Sequence, residues 1–239
     1  MAHANIVILT GAGISAESGL GTFRDEGGLW AQHRIEDVAT PEAFARNPRR
    51  VVDFYNTRRA QAHAAVPNAG HTALARLQAD YDGNVLLITQ NVDNLHEKAG
   101  SADVVHMHGA LASALCAACG HRWDAPLNME VGEACPRCNT PAARPDIVWF
   151  GEMPYHMERI EDALSKVDIF VAIGTSGNVY PAAGFVEMAT HVGAQTVEMN
   201  LDPSQTVSLF DDTRPGKASV TVPLWVDEVL GLSRTGGHC

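Results

Sequence analysis

No run of apolar residues in this chain of 239 approaches the roughly 20 that a membrane-spanning helix needs, so a membrane is not among the expected partners. The N-terminus also lacks the basic-then-apolar pattern of a secretory leader, and the expected compartment is the cytoplasm. Positive charge is short: 17 Lys and Arg stand against 28 Asp and Glu, a formal net charge of −11. A surface of that sign repels a phosphate backbone, so general nucleic-acid binding is not expected, whereas a basic, lysine-bearing protein is a compatible partner. Internal repeats and low-complexity tracts are missing. The apolar fraction is 46%, ordinary for a globular protein, and the length suits one large domain with an insert or two modest domains.

What is present begins with an apolar strand over residues 6–9 that runs into Gly11-Ala12-Gly13-Ile14-Ser15-Ala16. This fits G-x-G-x-x-[GA], where glycines permit a tight turn and a close backbone approach to a pyrophosphate. A plain dinucleotide unit would carry an acidic residue about twenty positions on, at the end of a second strand. Here that window holds Arg34-Ile35-Glu36-Asp37 with no apolar strand before it. The following helix is cut short by Gly19 and Gly21, and Thr22-Phe23-Arg24-Asp25 suggests an arm over the cofactor.

Residues 41–64 read as helical, starting at Thr40-Pro41 and divided by Pro48 into two short helices. An amphipathic helix over 71–80 turns Leu74 and Leu77 inward, and a second buried strand over 85–88 ends in Gln90-Asn91-Val92-Asp93. A short strand over 103–106 reaches His108. Later strands are expected over 146–150, 168–173, 195–199 and 218–222, the last closing the sheet. Helices are expected over 160–166, 182–191 and 224–230. Alternating strands and helices imply an α/β fold: a Rossmann-like parallel sheet with helices on both faces.

Between these halves stand Cys116, Cys119, Cys135 and Cys138, in the spacing C-x2-C-x15-C-x2-C. Each pair forms a knuckle giving two corners of a tetrahedron, so one structural Zn2+ is expected, with no open coordination position. The metal would staple an insert too poor in apolar residues to fold alone. Cys239 is expected to be a solvent-facing terminus.

Four strand ends carry small or polar residues: 11–15, 90–93, 174–176 and 200–202. In a parallel sheet these loops share one rim, where an extended dinucleotide can stretch.

The order of GAGISAESGLGTFRD, TQNVDNLH, HMHG, the two CxxC pairs, VWFGE, GTS and NLDPS resembles the sirtuins, the NAD-dependent protein-lysine deacylases, over nearly the whole chain. HRIEDVATPEAF and FYNTRR are most similar to bacterial class III sirtuins of the CobB type. Gly21 stands where many sirtuins have proline. The resemblance implies a discontinuous Rossmann-like domain (1–25, 66–108 and 146–239) and a small domain made of a helical module (26–65) and a zinc module (109–145). It implies His108 as general base. It places NAD against Gly11, Ala12, Gly13, Ser15, Ala16, Thr22 and Trp30, with Phe23 and Arg24 in the covering arm. Further cofactor contacts are implied at Gln90, Asn91, Val92 and Asp93, at Gly174, Thr175 and Ser176, and at Asn200, Leu201, Asp202 and Ala218. Val148, Trp149, Phe150, Gly151 and Glu152 would line an acyl-lysine channel and offer backbone to the substrate strand. The implied reaction is attack of the acyl oxygen on the nicotinamide ribose, releasing nicotinamide, 2′-O-acyl-ADP-ribose and free lysine.

Tyr55 and Arg58 stand three apart on a helix and so on one face. The resemblance makes them the pair that recognises an acidic acyl chain, so succinyl- and malonyl-lysine are expected beside acetyl-lysine. A guanidinium gripping a carboxylate, with a phenol adding one directed bond, suits that role. The competing readings are a mono-ADP-ribosyltransferase on the same scaffold, a non-catalytic zinc-ribbon binding module, and an ordinary nicotinamide dehydrogenase.

Overall fold

A computed structural model describes residues 3–22 and 33–232. The chain opens with β1 (Ile6–Thr10), buried along its whole length, as suits β-branched residues in a strand with neighbours on both sides. The short helix α1 (Ala12–Ala16) follows directly. Next come α2 (Ile35–Val38), α3 (Pro41–Arg46) and α4 (Pro48–Ala64). Thr40 and Asn47 accept backbone N–H groups at the starts of α3 and α4, and proline follows each cap. Pro48 therefore does divide two helices. The second is not short, however: it runs 17 residues, because no breaker interrupts its buried stripe of Val51, Val52, Phe54, Tyr55, Arg59 and Ala62.

α5 (Ala69–Asp80), closed by a reciprocal cap between Asn68 and His71, leads to β2 (Val85–Thr89), α6 (Leu95–Lys98) and β3 (Val104–His106). The chain then leaves the main sheet for β4 (Gly109–Cys116), β5 (Arg122–Asp124) and β6 (Ala143–Ile147), an antiparallel sheet in the order β5-β4-β6. It returns through α7 (Met157–Leu164), β7 (Ile169–Ile173), α8 (Phe185–His191), β8 (Gln195–Asn200), β9 (Asp212–Pro215) and α9 (Ala218–Val229).

The main sheet is parallel, in the order β3-β2-β1-β7-β8-β9. Along β1, Ile6 and Ile8 pack with Leu74, Leu77, Val222 and Val226 from α5 and α9. Val7 and Leu9 turn the other way, onto Ile160, Leu164, Phe185 and Val186 from α7 and α8. Alternate side chains thus bury both faces under helices. The strand order reverses at β1 and β7, the place where open α/β sheets bind ligands. Register levels the exits there: Thr10 pairs with both Thr89 and Ile173, Thr89 with His106, and Ile173 with Met199.

Two expected strands differ. The sheet is closed by β9, not by residues 218–222, which open α9. Their β-branched run looks strand-like, but Ala218, Val222, Trp225 and Val226 are the buried positions, which is helical spacing. The strand expected over 146–150 begins at Ala143, ends at Ile147 and belongs to the small antiparallel sheet. Beyond Ile147 the backbone is held by single bonds instead, Val148 N–H to the His108 carbonyl at 3.0 Å and Phe150 N–H to that of Ala39 at 3.0 Å. Trp149 turns into a third core with Val38, Val51, Phe54 and Tyr55, tying the segment to α2 and α4.

Candidate active site

The levelled strand exits line one cleft of about 540 Å³, within the ~300–1,000 Å³ usual for small-molecule sites. Its lining takes in residues following β1, β2, β7 and β8, together with His108, Tyr55, Arg58 and the segment after β6. Glycines bring the two central exits into contact. A Cβ on Gly11 would meet the Gly174 carbonyl oxygen at 2.7 Å, and one on Gly13 would meet Gly174 Cα at 2.7 Å. The G-x-G pattern is therefore occupied locally by packing β1 against β7. Gln90 Nε2 donates to Thr175 Oγ1 at 2.9 Å and Asn200 Nδ2 to the Thr175 carbonyl at 2.7 Å, so the rim is stapled across three strands.

A buried polar group forms the floor. Asn68 N–H donates to His71 Nδ1 at 3.3 Å, which leaves the imidazole hydrogen on Nε2, facing Ser15 Oγ at 3.4 Å. Asn91 Nδ2 also donates to Ser15 Oγ, at 3.2 Å, and to the Gly11 carbonyl at 3.0 Å. With two donors directed at its oxygen, the Ser15 hydroxyl gives its own hydrogen to Asp93 Oδ2 at 3.2 Å. Burial pushes the Asp93 carboxyl up; the Leu95 N–H, the Ser15 hydroxyl, His106 and Arg58 pull against it. Burial also lowers His71 to about 4 and holds His96 well below the usual histidine value, so both stay neutral.

His108 leaves β3 half-buried, with Nδ1 3.2 Å from the Gln90 carbonyl oxygen. A carbonyl only accepts, so Nδ1 carries the hydrogen and Nε2 keeps its lone pair. Burial lowers its pKa, partly offset by that backbone bond.

In the same cleft, Tyr55 is 1% exposed and accepts from Trp149 Nε1 at 3.1 Å. Burial raises its pKa to about 12, against the pull of Arg58, Trp149 and Arg144. Arg58 is half-buried, with Cζ 5.9 Å from the Phe54 ring centroid; burial lowers its pKa, opposed by Tyr55 and Asp93. Glu152 sends its carboxylate inward. Arg144 grips it from NH1 and NH2 at 2.7 and 2.9 Å, and the Trp149 N–H adds a bond at 2.8 Å. Burial raises the Glu152 pKa, but those bonds more than offset it and the net direction is down.

The model of the Sir2 family matches residues 11–181. The NAD-dependent protein deacylase of Vibrio parahaemolyticus serotype O3:K6 (strain RIMD 2210633) is 55% identical over 233 residues, covering 96% of this chain and 97% of its own. The chain belongs to the Sir2 family. Among solved structures, a Sir2 homologue in complex with NAD is 36% identical with a TM-score of 0.88, covering 95% of this chain and 90% of its own. A Sir2 protein bound to an acetylated peptide is 27% identical with a TM-score of 0.80, covering 96% and 94%.

Away from the Sir2 cleft, the Sγ atoms of Cys116, Cys119, Cys135 and Cys138 all lie within 4.8 Å of one another. Cys116 is 3.7 Å from Cys138 and Cys119 is 3.8 Å from Cys135. These are too long for disulfides and match the ~3.8 Å edge of a tetrahedron with ~2.3 Å arms around zinc. The four thiols fit a closed, structural metal site.

Of the residues expected at the Sir2 site, Gly11, Ala12, Gly13, Ser15, Ala16 and Thr22 line the cleft, as do residues 90–93, 174–176 and 200–202. His108, Tyr55, Arg58 and residues 148–152 line it too. Ala218 does not; it begins α9, its carbonyl 3.1 Å from the place of a Cβ on Gly70. Phe23, Arg24, Trp30 and Cys239 lie outside the described residues. The unanticipated lining residues include Gln61 and Ala62, one turn beyond Arg58, and Leu111. Arg144 and His71 were missed as well. Arg144 looks in sequence like any strand-edge arginine, and only folding brings Glu152 into its fork. His71 had a signal, since its place three residues after Asn68 is that of a reciprocal cap.

Proposed function

We propose that this chain is an NAD-dependent protein-lysine deacylase that removes acetyl and acidic acyl groups, succinyl and malonyl, with His108 as general base. The observation carrying this reading is a single cleft containing both a histidine with its lone pair kept on Nε2 and the Tyr55–Arg58 pair. NAD, when bound, supplies an activated glycosidic bond and a ribose hydroxyl to carry the acyl group away. Asn91, Asp93 and Ser15 hold the ribose and carboxamide end, and the exits of β1, β7 and β8 hold the remainder. Nε2 of His108 takes the proton of a ribose hydroxyl as the acyl group transfers. Residues 148–152 present backbone to an extended peptide, and Arg58 and Tyr55 meet a carboxylate at the far end of the acyl chain.

The four cysteines hold a structural Zn2+, remote in role from the reaction. The protein substrates carry acyl-lysine, and the setting is the cytoplasm, where thiols stay reduced. No helix among the described residues is long and apolar enough to cross a membrane. The reading is tested by incubating the protein with NAD and matched acetyl-, succinyl- and malonyl-lysine peptides. Nicotinamide release that requires both peptide and NAD is expected; no release above the peptide-free rate with any peptide would overturn it.

A further inference from the structure

Trp149 is 2% exposed, and by burial alone it is a core residue. Its polar contacts are more specific than packing requires. Nε1–H donates to the Tyr55 hydroxyl oxygen at 3.1 Å, and its ring lies 3.5 Å from Arg144 Cζ. Arg144 is held in turn by its fork on Glu152 and by the Ile147 carbonyl at 2.8 Å. Glu152 closes the loop by accepting the Trp149 backbone N–H. The indole is thus fixed from above by a guanidinium and from its own backbone by a carboxylate.

An indole N–H can only donate, whereas a phenol can do either. The hydroxyl hydrogen of a phenol prefers the ring plane, which offers it two opposite positions. One side of the Tyr55 oxygen is taken by the Trp149 donor, so the hydrogen lies on the other. Among the described residues no oxygen accepts it. Tyr55 and Arg58 line the same cleft, and the hydrogen is available to a ligand there.

We propose that Trp149 is a positioning residue for acidic acyl chains: its indole N–H commits the Tyr55 hydroxyl to donate into the cleft, toward the carboxylate held by Arg58. The proposal rests on the acidic-acyl reading of that pair. An acetyl group ends in a methyl and offers no acceptor there, so the device acts on selectivity between acyl groups. Burial keeps the Tyr55 phenol protonated far above neutral pH, so the donor is present throughout the working range.

The test is Trp149→Phe, which keeps a ring beneath Arg144 and removes the N–H, assayed on matched succinyl and acetyl peptides. The succinyl-to-acetyl ratio of kcat/KM should fall roughly five- to tenfold, the worth of one hydrogen bond, mostly through KM for the succinyl peptide. In a Tyr55→Phe background the same change should lower the ratio no further. An unchanged ratio, or a loss that adds fully to that of Tyr55→Phe, would overturn the proposal. If Trp149→Phe does not fold, replacing Trp149 with benzothienylalanine, which keeps the shape and lacks the N–H, must give the same result. Failure of the underlying reading looks different: Arg58→Met would then leave the ratio untouched.

Discussion

Nδ1 of His108 meets the carbonyl oxygen of Gln90 across 3.2 Å, and Gln90 in turn reaches over β1 to Thr175 on the β7 exit at 2.9 Å. The His108 ring is therefore oriented by the same rim that forms the cleft. A neutral imidazole with its hydrogen committed to a backbone carbonyl has one nitrogen left for chemistry.

Because burial lowers the His108 pKa, its neutral, basic form persists to lower pH than for an exposed histidine. The acid limb of kcat/KM should accordingly lie below the usual histidine value of ~6.5. His108→Ala should lose roughly 10²–10⁴-fold in turnover and abolish that limb while the protein stays folded. A variant with near-normal turnover and an unchanged melting temperature would assign the base elsewhere.

Arg58→Met removes the charge and keeps most of the side-chain length. The succinyl-to-acetyl ratio of kcat/KM should fall by roughly 10²-fold, as expected when a desolvated charge-assisted bond is lost. Parallel losses on both peptides would make Arg58 structural.

The cysteine cluster predicts one zinc per chain by elemental analysis and loss of activity on chelation. The insert around β4, β5 and β6 packs only Ala114, Met129 and Ala143 against Val52 of α4, too little to hold without the metal. Chelation should lower the melting temperature and expose the insert to protease before the main sheet. Metal-free protein that is folded and active would contradict this.

His71 is 0% exposed and its folded pKa falls to about 4 from 6.5. Since the folded value is the lower, the unfolded chain binds the proton first. Stability is whole above ~6.5 and drains away as pH falls toward 4, by about 2 kcal/mol at pH ~5. His71→Gln cannot titrate, so its melting temperature should drop less than that of the wild type between about pH 7.5 and about pH 5. Equal drops would remove His71 from the acid response.

The elements that place the site were readable where burial is continuous on both faces. β1, β2 and β7 announce themselves as short apolar runs, β8 shows only Val197 and Met199 between polar residues, and the polar residues just past these strands mark the rim. The sheet's far edge was not readable. β9 is Asp212-Thr213-Arg214-Pro215, a polar strand defined by pairing with β8 and not by any pattern of its own. α9 carries the β-branched residues that an isolated sequence assigns to a strand, and only its packing on α5 decides otherwise. The polar floor was half visible. Ser15, Asn91 and Asp93 stand in motifs, whereas His71 joins them through a cap 56 residues from Ser15. Glu152 sits in the expected segment, yet its carboxylate faces Arg144, a long-range pairing that no spacing rule conveys.

Where the acyl group ends is read most directly from the mass of the products. The protein is incubated with NAD and a succinyl-lysine peptide, then with the matched acetyl peptide, and both peptide and nucleotide fractions are weighed by mass spectrometry. The prediction is a peptide lighter by the acyl group and an ADP-ribose heavier by the same group, once for each peptide. A peptide that keeps its acyl group and gains the mass of ADP-ribose would contradict the account and make the protein a mono-ADP-ribosyltransferase.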